Sequence, residues 1–387
     1  MGGKKYHGTT TCKMKISGMK KISLPLSCLV VLILMSSCNN PRPSTPGTDR
    51  LKATEESQKI DSEIDTTLHL RFTTAVRSIF EDSKGNYWFG SWMEGVCRFD
   101  GENFTYFTEE EGLSHNQVRD IQEDEQGNIW FATGRGISSY DGVKITIQAS
   151  ADELKSIQSL ETQWQMKPTD LWFNIEIEGN GEVAKGLGRY DQEQLTFLEF
   201  PPQVLELGIC KENATITDIC RGEDDRTWFA NYAGVFGYDG KSFTILKDSD
   251  WPYHVRSIYE DLKGNLWIGN NGIGVLLFDG KTTINFSEKH GVSNPEYLET
   301  LQVSEKPGTL ARVFSIGEDK YGNIWFGTID AGAWKYDGKI LINYSLSEGL
   351  TSMAVTEIYR DKMGSLWFGM GDGSACQFNG NSFEKIF

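Results

Sequence analysis

Three arginines share one register of a repeating phrase: Arg77, Arg119 and Arg256 follow the valine that opens VRSIF, VRDIQ and VRSIY. Brought together, three guanidinium groups would hold a carboxylate or sulfate, because each offers a charged planar fork of N–H donors. The same register carries Thr217, Phe314 and Thr356 in other copies, so a cluster would be one-sided. A second role stays open for these arginines, pairing with Glu81, Glu123 or Glu260. Glu-Asp pairs at 81–82, 123–124, 260–261 and 318–319 look like carboxylates for acid–base work. Their return in copy after copy at a turn argues for a structural role instead, the aspartate accepting amide bonds within the turn. A divalent cation at these turns stays an alternative, although no twelve-residue calcium loop occurs, and no cofactor is expected. His115, His254 and His290 precede strands without a His-x-His, His-Glu or Gly-x-Ser-x-Gly pattern, so no catalytic residue and no metal ligand is assigned.

A repeat must position these groups. The phrase GNYWFGSWMEGVCRFDG returns as GNIWFATGRGISSYDG, GNLWIGNNGIGVLLFDG, GNIWFGTIDAGAWKYDG and GSLWFGMGDGSACQFNG. Its tryptophan stands at 88, 130, 172, 228, 267, 325 and 367. A β-branched residue lies twelve positions earlier at Val76, Val118, Ile216, Val255, Val313 and Val355. Self-similarity near 40 residues marks a solenoid or a propeller. The first copy reads as four short strands, VRSIFED, NYWFGSW, GVCRFDG and NFTYFTE, with tight turns at ED-x-x-GN and DG. Seven such copies predict an all-β chain, a seven-bladed β-propeller of four-stranded antiparallel blades, over residues 68–387. The tryptophan should pack between blades, because one sheet cannot bury both its faces alone. The third copy, LETQWQMKPTDLWFN, lacks the E-D-x-x-G turn, and the fourth, GEDDRTWFA, lacks its glycine. Ring closure has two solutions: residues 68–74 add a strand, or the first and last blades abut.

Propeller topology gathers the second-to-third-strand loops and the blade-to-blade loops on one face. The long insertions, residues 174–186, 201–215 and 287–311, all map there. Such confinement marks a binding face, against the plainer reading of tolerated surface decoration. The candidate ligand residues of that face are Trp92, Glu94, Tyr232, Trp251, Tyr253, His254, Asn270, Asn271, Asp330 and Asp372, with Tyr297 beside them and Arg77, Arg119 and Arg256 at the channel mouth. Aromatic rings there would stack on sugars while amides and carboxylates take hydroxyls. Trp251 and Tyr297 could equally cap blade cores.

The repeat resembles the two-component regulator propeller repeat, whose pattern runs V-x-x-I-x-E-D-x-x-G-x-L-W-I-G-T-x-x-G-G-L-x-R-Y-D. Copies one, two, five, six and seven follow it best. The resemblance implies a periplasmic sensor propeller of the kind that detects glycan fragments for hybrid kinases. The chain ends at Phe387 with no kinase domain, so the expectation is a binder of a glycan or small polar ligand that signals through a membrane sensor or outer-membrane protein. The phrase is also similar to that of the virginiamycin B lyases, propellers that work with a metal, a His and a Glu on the loop-rich face. A lyase or hydrolase is therefore the alternative. A protein-binding scaffold is the third reading, and would show a broad apolar patch.

The N-terminus adds a location. Residues 19–38, MKKISLPLSCLVVLILMSSC, have a basic start, a short apolar run and small residues before Cys38. The run is too short for a membrane-spanning helix and reads as a secretory signal with translation starting at Met19. LMSSC resembles a lipoprotein lipobox, which implies a signal over 1–38, acylation of Cys38 and outer-membrane attachment facing the periplasm. Residues 39–67 are polar and proline-containing, a flexible tether. Of the 38 basic residues six precede Cys38, and none of the 54 acidic ones does, so the remainder carries −22. That field excludes nucleic acid as a partner and leaves the lipid anchor as the membrane contact. Cys97, Cys210, Cys220 and Cys376 show no metal spacing. Cys210 and Cys220 could close a short loop in an oxidising compartment, or all four stay thiols.

Overall fold

The computed structural model describes residues 64–65, 69–149, 164, 166–179, 182–210, 215–222, 225–247, 254–296 and 308–387. Cys38, the signal segment and most of the tether lie outside them. Seven antiparallel sheets follow one another along the chain as seven blades, each drawn from one contiguous stretch. Blade one runs inward to outward through Val76–Glu81, Tyr87–Ser91, Val96–Phe99 and Phe104–Phe107. Blades two, four, five, six and seven repeat that order, with inner strands Val118–Glu123, Ile216–Arg221, Val255–Glu260, Val313–Glu318 and Val355–Arg360. Blade three shows three strands among the described residues, Leu171–Gly179, Glu182–Tyr190 and Leu195–Leu198. Its insertion is not an irregular loop: the two nine-residue strands stay paired from Leu171↔Tyr190 to Gly179↔Glu182.

The tryptophans set the blade order. Trp88 of blade one sits in the core of blade two, with Val118, Ile121 and Phe131. Trp130 serves blade three, Trp172 blade four, Trp228 blade five, Trp267 blade six and Trp325 blade seven in the same way. Trp367 of blade seven then packs on Val76, Ile79 and Phe89 of blade one. The shift by one blade runs all the way round, and so the ring is closed. Gly90 and Gly369 make room for this: a Cβ on either would strike Val118 or Val76 of the following inner strand.

Closure uses abutting blades, and residues 69–74, expected as a possible added strand, form none. Phe387 stacks on Trp367 and meets Phe89, Phe99 and Phe104 of blade one. Thr356 donates its hydroxyl to the Val76 carbonyl at 2.6 Å across the seam. Ile64–Asp65 pairs with the outer strand of blade one, a fifth strand there and not a member of blade seven.

The Glu-Asp turns divide their labour. Asp82 accepts from the amides of Lys84 and Asn86, from the Asn86 side chain, and from the Trp88 indole N–H at 2.9 Å. Burial opposes its charge, but these bonds hold the carboxyl below its usual range. Asp124, Asp261, Asp319 and Asp361 receive the tryptophan of their own blades likewise. The preceding glutamate reaches the previous blade: Glu81 accepts from Lys362 N–H, Glu123 from Ser83 N–H and Glu318 from Leu262 N–H. In blade four Gly222 stands where the aspartate would be, and the Trp228 indole donates to Glu260 of blade five in its place. A side chain on Gly222 would collide with that carboxylate. Cys210 and Cys220 are free thiols and form no disulfide with each other.

Candidate functional site

Each of the six described inner strands carries a bulge directly after its first residue, as between Val76 and Ser78 or Val255 and Ser257. The bulged residue is the arginine of blades one, two and five, so the irregularity re-aims that side chain. Arg77 is enclosed by protein although part of its surface opens to the channel. Burial lowers its pKa to about 10, and the like charges of Arg119 and Arg256 add to the shift. Arg119 and Arg256, one from each of two other blades, thus stand near enough to act on the Arg77 charge. The alternative partners are taken: Glu81 and Glu123 bind the neighbouring turns, and Glu260 the Trp228 indole.

Aromatic rings support two of these cations. The Arg77 guanidinium lies 4.4 Å from the Trp92 ring centroid, and Trp92 is 46% exposed at the face. Arg256 lies over Tyr232 at 4.9 Å and Phe314 at 5.2 Å, and donates to the Tyr232 hydroxyl at 3.1 Å. Such contacts contribute about 0.5–2 kcal/mol and fix the planes of the guanidinium groups. Arg119 donates through Nε to Gln117 at 2.9 Å. Arg256 Nε, buried, makes no hydrogen bond.

The rest of the mouth is uneven. His254 packs against the Tyr232 ring at 4.9 Å, and its Nδ1 lies 3.5 Å from the Asn271 amide nitrogen. Burial, then the charge of Arg256, lowers its pKa, so the imidazole is neutral at pH 7. Asn271 Oδ1 accepts from Arg312 at 2.9 Å, and Arg312 pairs with Asp330 at 3.1 Å. Blades four to six thus crowd the mouth with Tyr232, His254, Asn271 and Arg312. Blade seven carries the small residues Ala354 and Gly371 at the corresponding positions, packed closely on each other.

Other expected ligand residues are spent on structure. Glu94 accepts four bonds from Thr73 and Thr74, at 2.7–2.9 Å, and clamps the segment leading into blade one. Asn270 is fully buried and accepts from His254 N–H. Asp372 caps its own turn through Ser374. Trp251, Tyr253 and Tyr297 lie outside the described residues.

One position further along the inner strands, three acids face the channel that the sequence did not single out: Asp120, Asp218 and Glu357. Burial raises the pKa of Asp120 against bonds from Gln122 and Ile121. Burial also pushes Asp218 up to about 7, with Asp120 adding to the shift. Glu357 is raised well above the carboxylate range by burial and then by both aspartates, while Arg77 opposes. The channel therefore has a cationic mouth above a tier of carboxyls that resist ionisation.

Residues 71–93, 112–135 and 308–330, in blades one, two and six, match the family described as two component regulator propeller. No curated protein matches the chain. Among solved structures, the extracellular domain of a protein described as the hybrid two component system BT3049 of B. thetaiotaomicron is 20% identical over 83% of this chain and 41% of that one, with a TM-score of 0.57. The extracellular domain of BT4673, described as a one component system of the same organism, is 20% identical over 82% of this chain and 39% of that one, at 0.51. Virginiamycin B lyase from Staphylococcus aureus is 16% identical over 81% of this chain and 99% of that one, at 0.57. The likeness in all three cases is one of fold. This chain spans about two fifths of the length of the two sensor domains.

Proposed function

We propose that this protein is a lipid-anchored, extracytoplasmic recognition module that binds a carboxylated or sulfated glycan at the loop-rich mouth of its propeller and relays that event to a membrane partner. The observation that carries the reading is that Arg119 and Arg256, from two other blades, act on the buried Arg77 guanidinium in a chain with net charge −16. Repelling cations are held together only where the fold over-determines them, and a ligand anion relieves that repulsion. Trp92, exposed beside Arg77, offers the flat apolar face that a sugar ring needs. The extracellular placement draws support from the signal-like residues 19–38 and from the sensor domains that share the fold. Isothermal titration with uronic and sulfated oligosaccharides tests it. Arg119→Ala and Trp92→Ala should each weaken binding about 10–100-fold, the worth of one charged bond or stacking face. Unchanged affinity in both removes the site.

A lyase reading rests on one further observation. His254 is a neutral imidazole beside Arg256, so a base adjoins the groups that would hold a uronate carboxylate. Release of unsaturated uronate that disappears in His254→Ala would favour it. Binding without turnover keeps the recognition module.

A further inference from the structure

The face opposite the arginine mouth is built from the Glu-Asp turns and the outer hairpins, and its surface is uneven. In blades five to seven the tips carry large apolar side chains in water: Leu262 is 56% exposed, Tyr321 78%, Ile340 59% and Met363 82%. Each has a lysine as its chain neighbour, Lys263, Lys320, Lys339 and Lys362. The tips are contiguous. The Leu262 amide binds Glu318 of the next blade, Lys320 packs at Gly364 of blade seven, and Lys362 reaches the Asp82 carbonyl of blade one. Exposed Lys281 and Arg360 add charge to the sector. Of its acids, Asp261, Asp319 and Asp361 are buried in their turns and Glu318 is buried, while Asp279 and Asp337 stay exposed at the outer hairpins and accept the amides there. The other side of the same face differs, with Glu125 and Gln126 at the turn of blade two and Gln192 and Glu193 at the hairpin of blade three. Val143 beside Lys144 is an isolated exception at the rim of blade two.

We infer that the hairpin face of blades five to seven docks on an anionic lipid surface. A protein strongly negative overall concentrates lysines around protruding Leu262, Tyr321, Ile340 and Met363, which matches the chemistry of a bilayer interface. Phosphate headgroups meet the ammonium groups, and apolar tips enter the boundary below them. Tyrosine suits that boundary, with its ring buried and hydroxyl wet. The Lys320 ammonium lies 5.4 Å from the Tyr321 ring, so cation and ring already form one unit. Docking in this sense turns the arginine mouth away from the membrane and toward soluble ligand. It does not depend on acylation of Cys38.

Hydrogen exchange resolved along the full-length chain tests the inference, because it separates the turns from any contribution of the N-terminal segment. On vesicles of phosphatidylethanolamine and phosphatidylglycerol, amides of residues 261–264, 319–322 and 361–364 should exchange at least threefold more slowly. On phosphatidylcholine vesicles they should not change. The combined change Leu262→Ser, Tyr321→Ser and Met363→Ser should abolish the slowing, and Lys263→Glu with Lys320→Glu should do so independently. Unaltered exchange at all three turns on the anionic vesicles overturns the inference. So does equal slowing at residues 91–95 of the opposite face, or protection that needs an envelope protein and not lipid.

Discussion

Asp319 receives the amides of Tyr321 and Asn323, the Asn323 side chain and the Trp325 indole, which is why a carboxylate recurs there and has no chemistry to spare. Asp319→Ala leaves a buried indole N–H without an acceptor and should cost about 2–4 kcal/mol in urea unfolding. Burial opposes ionisation of Asp319, yet the bonds from Asn323 and Trp325 hold its pKa below the usual value. Its stabilisation is therefore present above the unfolded pKa and is lost as pH falls through the folded one. The gap between wild type and Asp319→Asn should narrow below about pH 4. The structural part of these turns was legible in the sequence, because a pair repeated in four blades cannot mark a single site. The common placement of the arginines on the bulge was legible because they recur at one register. Asp120, Asp218 and Glu357 were not, since they occupy a register that is serine in Ser78, Ser257 and Ser315. Glu94 also misled, because its partners Thr73 and Thr74 precede the first repeat.

At the scale of strands and blades, stability resides in the seams. Trp325 has no exposed surface and packs on Tyr344, Phe368 and Phe378 across blades six and seven. Trp325→Ala should cost about 3–5 kcal/mol. Phe387→Ala removes the ring wedged between blades seven and one. It should cost about 3 kcal/mol and speed hydrogen exchange along Val76–Glu81 and Leu366–Met370 before other strands. An effect spread evenly over all blades would mean that the seam is not where closure is held. The period, strand count and inter-blade tryptophans could be read in advance because each repeat carries the same burial problem. The insertion at 174–186 was read as a loop although it alternates, with Ile175 and Ile177 against Glu176 and Glu178 before Gly179. That alternation is the signature of a ribbon, and the structure extends both strands accordingly.

The whole molecule places two electrostatic tiers around one axis. The channel carboxyls have folded pKa values raised by burial, so between about pH 4 and 7 the unfolded chain releases their protons first. Stability should fall as pH rises through that window, the reverse of the turn aspartates. Together the two sets predict greatest thermal stability near pH 5. Glu357→Gln should stabilise the protein at pH 8 by on the order of 1 kcal/mol and have little effect at pH 4.5. An equal gain at both would show that the carboxyl titrates normally. Above this tier stand the three arginines on which the functional account depends, and one comparison bears on them most directly. The affinity of a short oligouronate should be measured beside that of the same oligosaccharide with its carboxylates reduced to alcohols. The account predicts at least 100-fold tighter binding of the acid form, reduced to parity in a chain carrying Arg77→Gln, Arg119→Gln and Arg256→Gln. Equal affinities in the wild-type protein, or a preference that survives loss of all three arginines, would contradict it.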